Sequence, residues 1–142
     1  MKLNDILVYN IVIDETGAKK DLGKIRSQMK RLICHIIKLK EQPKMAGDKW
    51  IHSINSSLKS IAIYNKRDNN TLYLKTGTQF YTNLELEYDK AIEWAYEEMI
   101  VNKYYTKTLN QLKADTNKGV ILNNALNRIR KYYLEEFRLK IP

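Results

Sequence analysis

The sequence predicts an all-α fold, a single-domain bundle of four to five helices spanning residues 1–142. Three observations predict it. Only two prolines and five glycines occur in 142 residues, which suits long helices and starves a turn-rich β fold. Apolar residues recur at three- and four-residue steps through several long stretches, the period of a helix face. The length and the 44% hydrophobic, 29% charged composition are those of one globular domain with a single core, with no need of a disulfide or metal.

Taken in order, the apolar start MKLNDILVYNIVIDE is interrupted by Asp5 and Asn10 and no small-residue cleavage site follows it, so it reads poorly as a signal peptide. The first helix is predicted over 18–41, with Leu22, Ile25, Met29, Leu32, Ile33, Ile36 and Leu39 on one face and Lys24, Arg31 and Lys38 together on the other. Cys34 falls near the boundary and His35 on the flank. Pro43 ends this helix, because a residue before proline is pushed out of the α region, and Pro43 with Gly47 punctuates a loop. Asp48 is the expected N-cap of a second helix running to about Tyr64 on Trp50, Ile54, Leu58 and Ile61. The run NKRDNN (65–70) is a turn, and 71–82 an irregular connection rather than a hairpin.

Thr82-Asn83-Leu84-Glu85 has the form of a capping box, opening a third helix to about Asn102 with Tyr88, Ala91, Ile92, Ala95 and Met99 buried. A short helical piece follows at about Thr106–Lys113, then a break at Thr116–Gly119. A last helix is expected over about Val120–Leu139, built on Leu122, Leu126, Ile129, Tyr133 and Phe137.

The quoted residues carry a resemblance. Asp21-Leu22-Gly23-Lys24, then Leu32, His35 and Lys38, then Gln42-Pro43, then Trp50 and Ile54 resemble the signature of a bacterial family known as domain-of-unknown-function family 29. The match runs over about 20–64, with an echo in the acidic, alanine-containing helix at 84–95. The chain has Asn70-Thr71-Leu72 where that family carries proline-serine-leucine. On this reading 1–102 is the family-like part and 103–142 an additional basic helical segment. The resemblance implies an all-helical fold with no known activity. It also implies that His35, near the end of one helix, meets Trp50 at the start of the next, so that His35, Pro43 and Trp50 form a structural motif.

Charge is uneven. Of the net +9, residues 17–49 carry +7 and 103–142 carry +6, whereas 83–102 carry −5. Glu85, Asp89, Glu93 and Glu97 make a carboxylate stripe, read as a solvated face or as one paired with the Lys24/Arg31/Lys38 side. No Glu-x-x-His accompanies it, as a di-metal bundle site requires. Cys34, His35 and His52 are too few for zinc, and no phosphate loop, His-Glu-x-x-His, Gly-x-Ser-x-Gly or Cys-x-x-Cys occurs. No catalytic motif, cofactor, small-molecule substrate or membrane span is indicated, and the lone cysteine fits a soluble cytoplasmic protein.

Two binding functions remain. Ten tyrosines exceed what a small core readily buries, and tyrosine favours interfaces, which points to a protein-interaction module or self-association. The alternative is nucleic-acid binding through a basic, tyrosine-containing surface. That surface would draw on Lys24, Arg31, Lys38, Tyr104, Tyr105, Arg128, Arg130, Lys131 and Tyr132.

Overall fold

The structure, a computed structural model, describes residues 18–67 and 71–142. The apolar start of the chain and the last three residues of the 65–70 turn lie outside the described residues. Five helices occur among them: α1 (Ala18–Glu41), α2 (Pro43–Asn65), α3 (Gly77–Met99), α4 (Leu109–Asp115) and α5 (Lys118–Phe137). The only β feature there is an isolated antiparallel bridge between Lys66 and Leu72. The fold is the all-α bundle expected.

Helix α1 is its centre. It packs against α2, α3 and α5, and every residue from Leu32 to Lys38 is buried. The expectation of one apolar face and one solvated face therefore fails over these two turns. A helix enclosed by three others has no side left for water.

Two helix starts differ from those expected. α2 begins at Pro43, not Asp48, after a break of one residue at Gln42. Proline ends the preceding helix and also suits the first position of the next, where its missing N–H costs nothing. α3 begins at Gly77, five residues before the expected box. Its cap is Thr76, whose hydroxyl accepts from the Gln79 N–H (3.2 Å) while Gln79 Oε1 accepts from the Thr76 N–H (3.1 Å). Both Thr76-x-x-Gln79 and Thr82-x-x-Glu85 have the sequence form of the box, and the earlier one wins because Phe80 and Leu84 then enter the core. α3 also stops at Met99 rather than Asn102. A second Thr-x-x-Gln box, Thr108 with Gln111, opens α4, and the Asn117 side chain caps α5 at the Val120 N–H.

The segment beyond α4 is part of the same core. Ile121, Leu122, Ala125, Leu126, Ile129 and Tyr133 of α5 are buried with the α1–α3 residues. Phe137, expected among them, is 57% exposed. Arg138 then takes a left-handed conformation (φ 53°), an uncommon one for a residue with a side chain, and the chain turns back. Ile141 is buried, and the Pro142 carbonyl accepts from the Gly77 N–H at 2.6 Å. Gly77 allows that approach: a Cβ there would strike the Arg130 guanidinium and lie 3.1 Å from the Pro142 oxygen.

Asn65, fully buried at the end of α2, ties three parts together. Its amide donates to the Leu74 carbonyl (3.0 Å) and the Tyr133 hydroxyl (3.0 Å), and accepts from the Leu74 N–H (2.7 Å). Replacing it strands all three groups in the interior, so Asn65→Ala is expected to lose about 2–4 kcal/mol in urea denaturation. Tyr133→Phe, which removes one partner, is expected to lose only about 1 kcal/mol.

Candidate functional site

The residues that looked most like a motif meet where α1, α2 and α3 converge. Lys38 is 7% exposed. Its ammonium donates to Glu98 Oε1 of α3 (2.6 Å) and stands 4.8 Å from the centre of the Trp50 ring of α2. The expectation of a solvated Lys38 is thus overturned: a cation enclosed by three helices needs a counter-charge and an aromatic face to stand in for lost water. Burial alone would raise the Glu98 carboxyl, but the hydrogen bond and charge of Lys38 outweigh it and hold the group below its ordinary value.

One turn earlier, the His35 ring meets Trp94 of α3 edge-on, with centroids 6.4 Å apart. That corrects the implied pairing with Trp50, whose ring takes Lys38 instead. His35 Nδ1 lies 2.8 Å from the Arg31 carbonyl, an acceptor only, so Nδ1 carries the proton and Nε2 the lone pair. Burial pushes the His35 pKa below its ordinary value, against the pull of that hydrogen bond. The ring is neutral at pH 7. Cys34 is fully buried, not at a boundary, and burial pushes its pKa up to about 12, so it remains a thiol. Among the described residues no group of three His, Cys, Asp or Glu side chains could hold a metal ion. The arrangement holds three helices together and offers no activated nucleophile. Trp94 and Glu98 were missed in the sequence. Their signal is the four-residue spacing that sets both on the α3 face opposite His35 and Lys38.

Most of the other basic and aromatic candidates take separate, local partners. The Lys24 ammonium stands 5.3 Å from the Tyr64 ring centre, and Arg31 lines a cleft between α1 and α2. Tyr104 is 77% exposed beneath Lys103. The Tyr105 hydroxyl donates to Glu41 (3.2 Å), and burial with that carboxylate pushes its pKa up to about 12; Lys107 also pairs with Glu41. On α5, Arg128 bonds Asn124 (2.7 Å), Arg130 bonds the Ile141 carbonyl (3.2 Å), Lys131 is exposed, and Tyr132 meets Phe137 edge-on. Among the described residues, no hydrogen bond, ion pair or ring contact joins the α1 set to the α5 set.

The acidic stripe does not face α1. Asp89 and Glu93 share a cleft with Lys113 and Lys118, and Glu85 lies 3.8 Å from Lys118. The carboxylate that meets Lys38 is Glu98, outside the stripe. A more apolar depression of about 290 Å³ lies at the far end of α2, lined by Ala62, Lys66, Leu72, Tyr133, Phe137 and Leu139.

The depressed His35 pKa has a defined consequence for stability. Above the unfolded value of about 6.5 both states are neutral and His35 adds no slope. As pH falls below it, the unfolded chain takes the proton first, so stability is lost down through the folded pKa. Urea denaturation at about pH 7.5 and about pH 5.5 should show the wild type losing more stability than His35→Gln. Equal losses would place the ring in water. The lower pH stays above the Glu98 range.

No curated protein and no solved structure matches the chain. No helix among the described residues is long and apolar enough to cross a membrane. Every residue of the Lys38 cluster falls within residues 12–115, the span matched by one family, and the chain thereby belongs to the family described as Domain of unknown function DUF29.

Proposed function

We propose that the protein is a non-enzymatic, cytoplasmic helical module that docks an acidic, amphipathic helix of another protein in the groove between the end of α2 and the end of α5. The observation that carries this is the groove itself. Phe137, at 57% exposure, leaves its ring at the rim of a depression floored by Ala62, Leu72 and the buried Tyr133. Exposed Ile63 and Leu134 neighbour the lining residues in sequence. A concave apolar surface with one aromatic anchor suits the apolar face of a helix. Charge selects the partner: Lys66 lines the groove, and Lys131, Arg138 and Lys140 are exposed along the α5 end and the returning tail, against Glu135 and Glu136. The same surplus disfavours a second copy, which would set these cations against each other.

The nucleic-acid reading has less support. Lys38 is buried against Glu98 and Arg130 bonds the Ile141 carbonyl. The remaining candidate cations, Lys24 and Arg31 on α1 and Arg128 and Lys131 on α5, are joined by no contact among the described residues into one phosphate-neutralising surface.

A photo-crosslinker placed at position 137 of the full chain tests the proposal. Expected is a crosslink to an acidic, amphipathic segment of another protein, which as a synthetic peptide binds at least about tenfold more weakly to Phe137→Ala. Crosslinks confined to copies of the chain itself, or a captured species that is nucleic acid and remains bound at about 150 mM salt, would refute it.

A further inference from the structure

Lys24, Arg31 and Lys38 are spaced by seven on α1, and Tyr64, Ser57 and Trp50 are spaced by seven on α2. The first and last pair across the seam as cation on ring, Lys24 with Tyr64 and Lys38 with Trp50. Those contacts set an antiparallel register that puts Arg31 level with Ser57. This middle rung is incomplete. The Arg31 guanidinium has no hydrogen-bond, ion-pair or aromatic partner among the described residues, and Ser57 Oγ, fully buried, has none either. Beside the rung the two helices part into a cleft of about 340 Å³, lined by Arg31, Asp48, Lys49, His52, Ser53 and Ser56.

We propose that this cleft binds the phosphoryl group of a small phosphomonoester. Lys49, His52, Ser53 and Ser56 follow at three- and four-residue steps on one face of α2, with Arg31 facing them from α1. The guanidinium fork matches two phosphate oxygens at once, and Lys49 adds a second fixed positive charge. The His52 imidazole supplies an N–H donor in either protonation state, and the two serines supply hydroxyl donors. A tetrahedral dianion uses donors arriving from several directions, as these do, whereas a planar carboxylate would leave some unmet. Asp48 is the one acidic group in the lining, and it is outnumbered by Arg31 and Lys49. The groove at the other end of α2 takes no part, so this site stands or falls independently of the docking function.

Titration of the full ¹⁵N-labelled chain with inorganic phosphate, and separately with glycerol 3-phosphate, tests it, with sodium chloride matching the ionic strength. The expected result is a saturable shift confined to Arg31 and residues 49–56, with affinity reduced at least about tenfold in Arg31→Met. Lys49→Ala, at an exposed position that leaves the fold intact, is expected to weaken binding severalfold and decides the matter if Arg31→Met does not fold. Shifts that spread over all basic surfaces without saturating, or saturation that neither variant changes, would overturn the proposal.

Discussion

Enclosure of α1 on all sides from Leu32 to Lys38 is the constraint on which the rest of the structure depends. Most of those residues are apolar and need only close packing. The other two bring demands. His35 answers its own by donating to a carbonyl one turn back in the same helix and by remaining neutral. Lys38 cannot lose its charge cheaply and recruits Glu98 from α3 and Trp50 from α2. A buried ion pair of this kind adds little net stability, but breaking one partner leaves an unpaired interior charge. It therefore specifies which faces of α2 and α3 meet α1. The histidine, lysine and tryptophan that gave the sequence its motif-like appearance are thus explained by assembly, with no chemistry required of them.

The C-terminal third completes this assembly. α5 lies against α1, α2 and α3, and polar pins fix it there: Tyr133 to Asn65, Arg130 to the Ile141 carbonyl, and the Pro142 carbonyl to the first N–H of α3. The returning tail covers the start of α3, yet its route past Arg138 leaves Phe137 and Leu139 on the surface. The exposed groove thus follows from the way the core is closed. On the α5 side it lies beyond residues 12–115, the span of family likeness, and α5 shapes both the core and the groove.

Periodicity made much of the fold legible. The buried face of α3, Tyr88, Ala91, Ile92, Ala95 and Met99, reads directly from its spacing and is buried. Helix starts were less legible because the same residues serve two purposes. Pro43 terminates one helix and opens the next, and two capping-box patterns stand six residues apart at Thr76 and Thr82. A helical projection also assumes a wet side, and nothing local to α1 shows that α3 and α5 cover its second face. Lys38 and Cys34 were misplaced for that reason. Phe137 was misplaced because it is the last residue of α5, and periodicity tells which face a residue lies on but not where the cover over that face ends. The groove arises from residues distant in sequence and carries no local signature, and the α1–α2 cleft needs Arg31 brought from another helix to residues 48–56.

Cys34, the chain's single cysteine, offers the most direct test of the central claim, since it sits at the middle of the enclosed stretch and no other thiol competes. Labelling of the native protein by an aromatic disulfide reagent, followed with increasing urea, measures the free energy of whatever opening exposes it. Enclosure of α1 by three helices predicts that this free energy equals that of global unfolding. Rapid labelling in the absence of urea, or an opening far smaller than global unfolding, would mean that one side of α1 is open to water and would contradict the account.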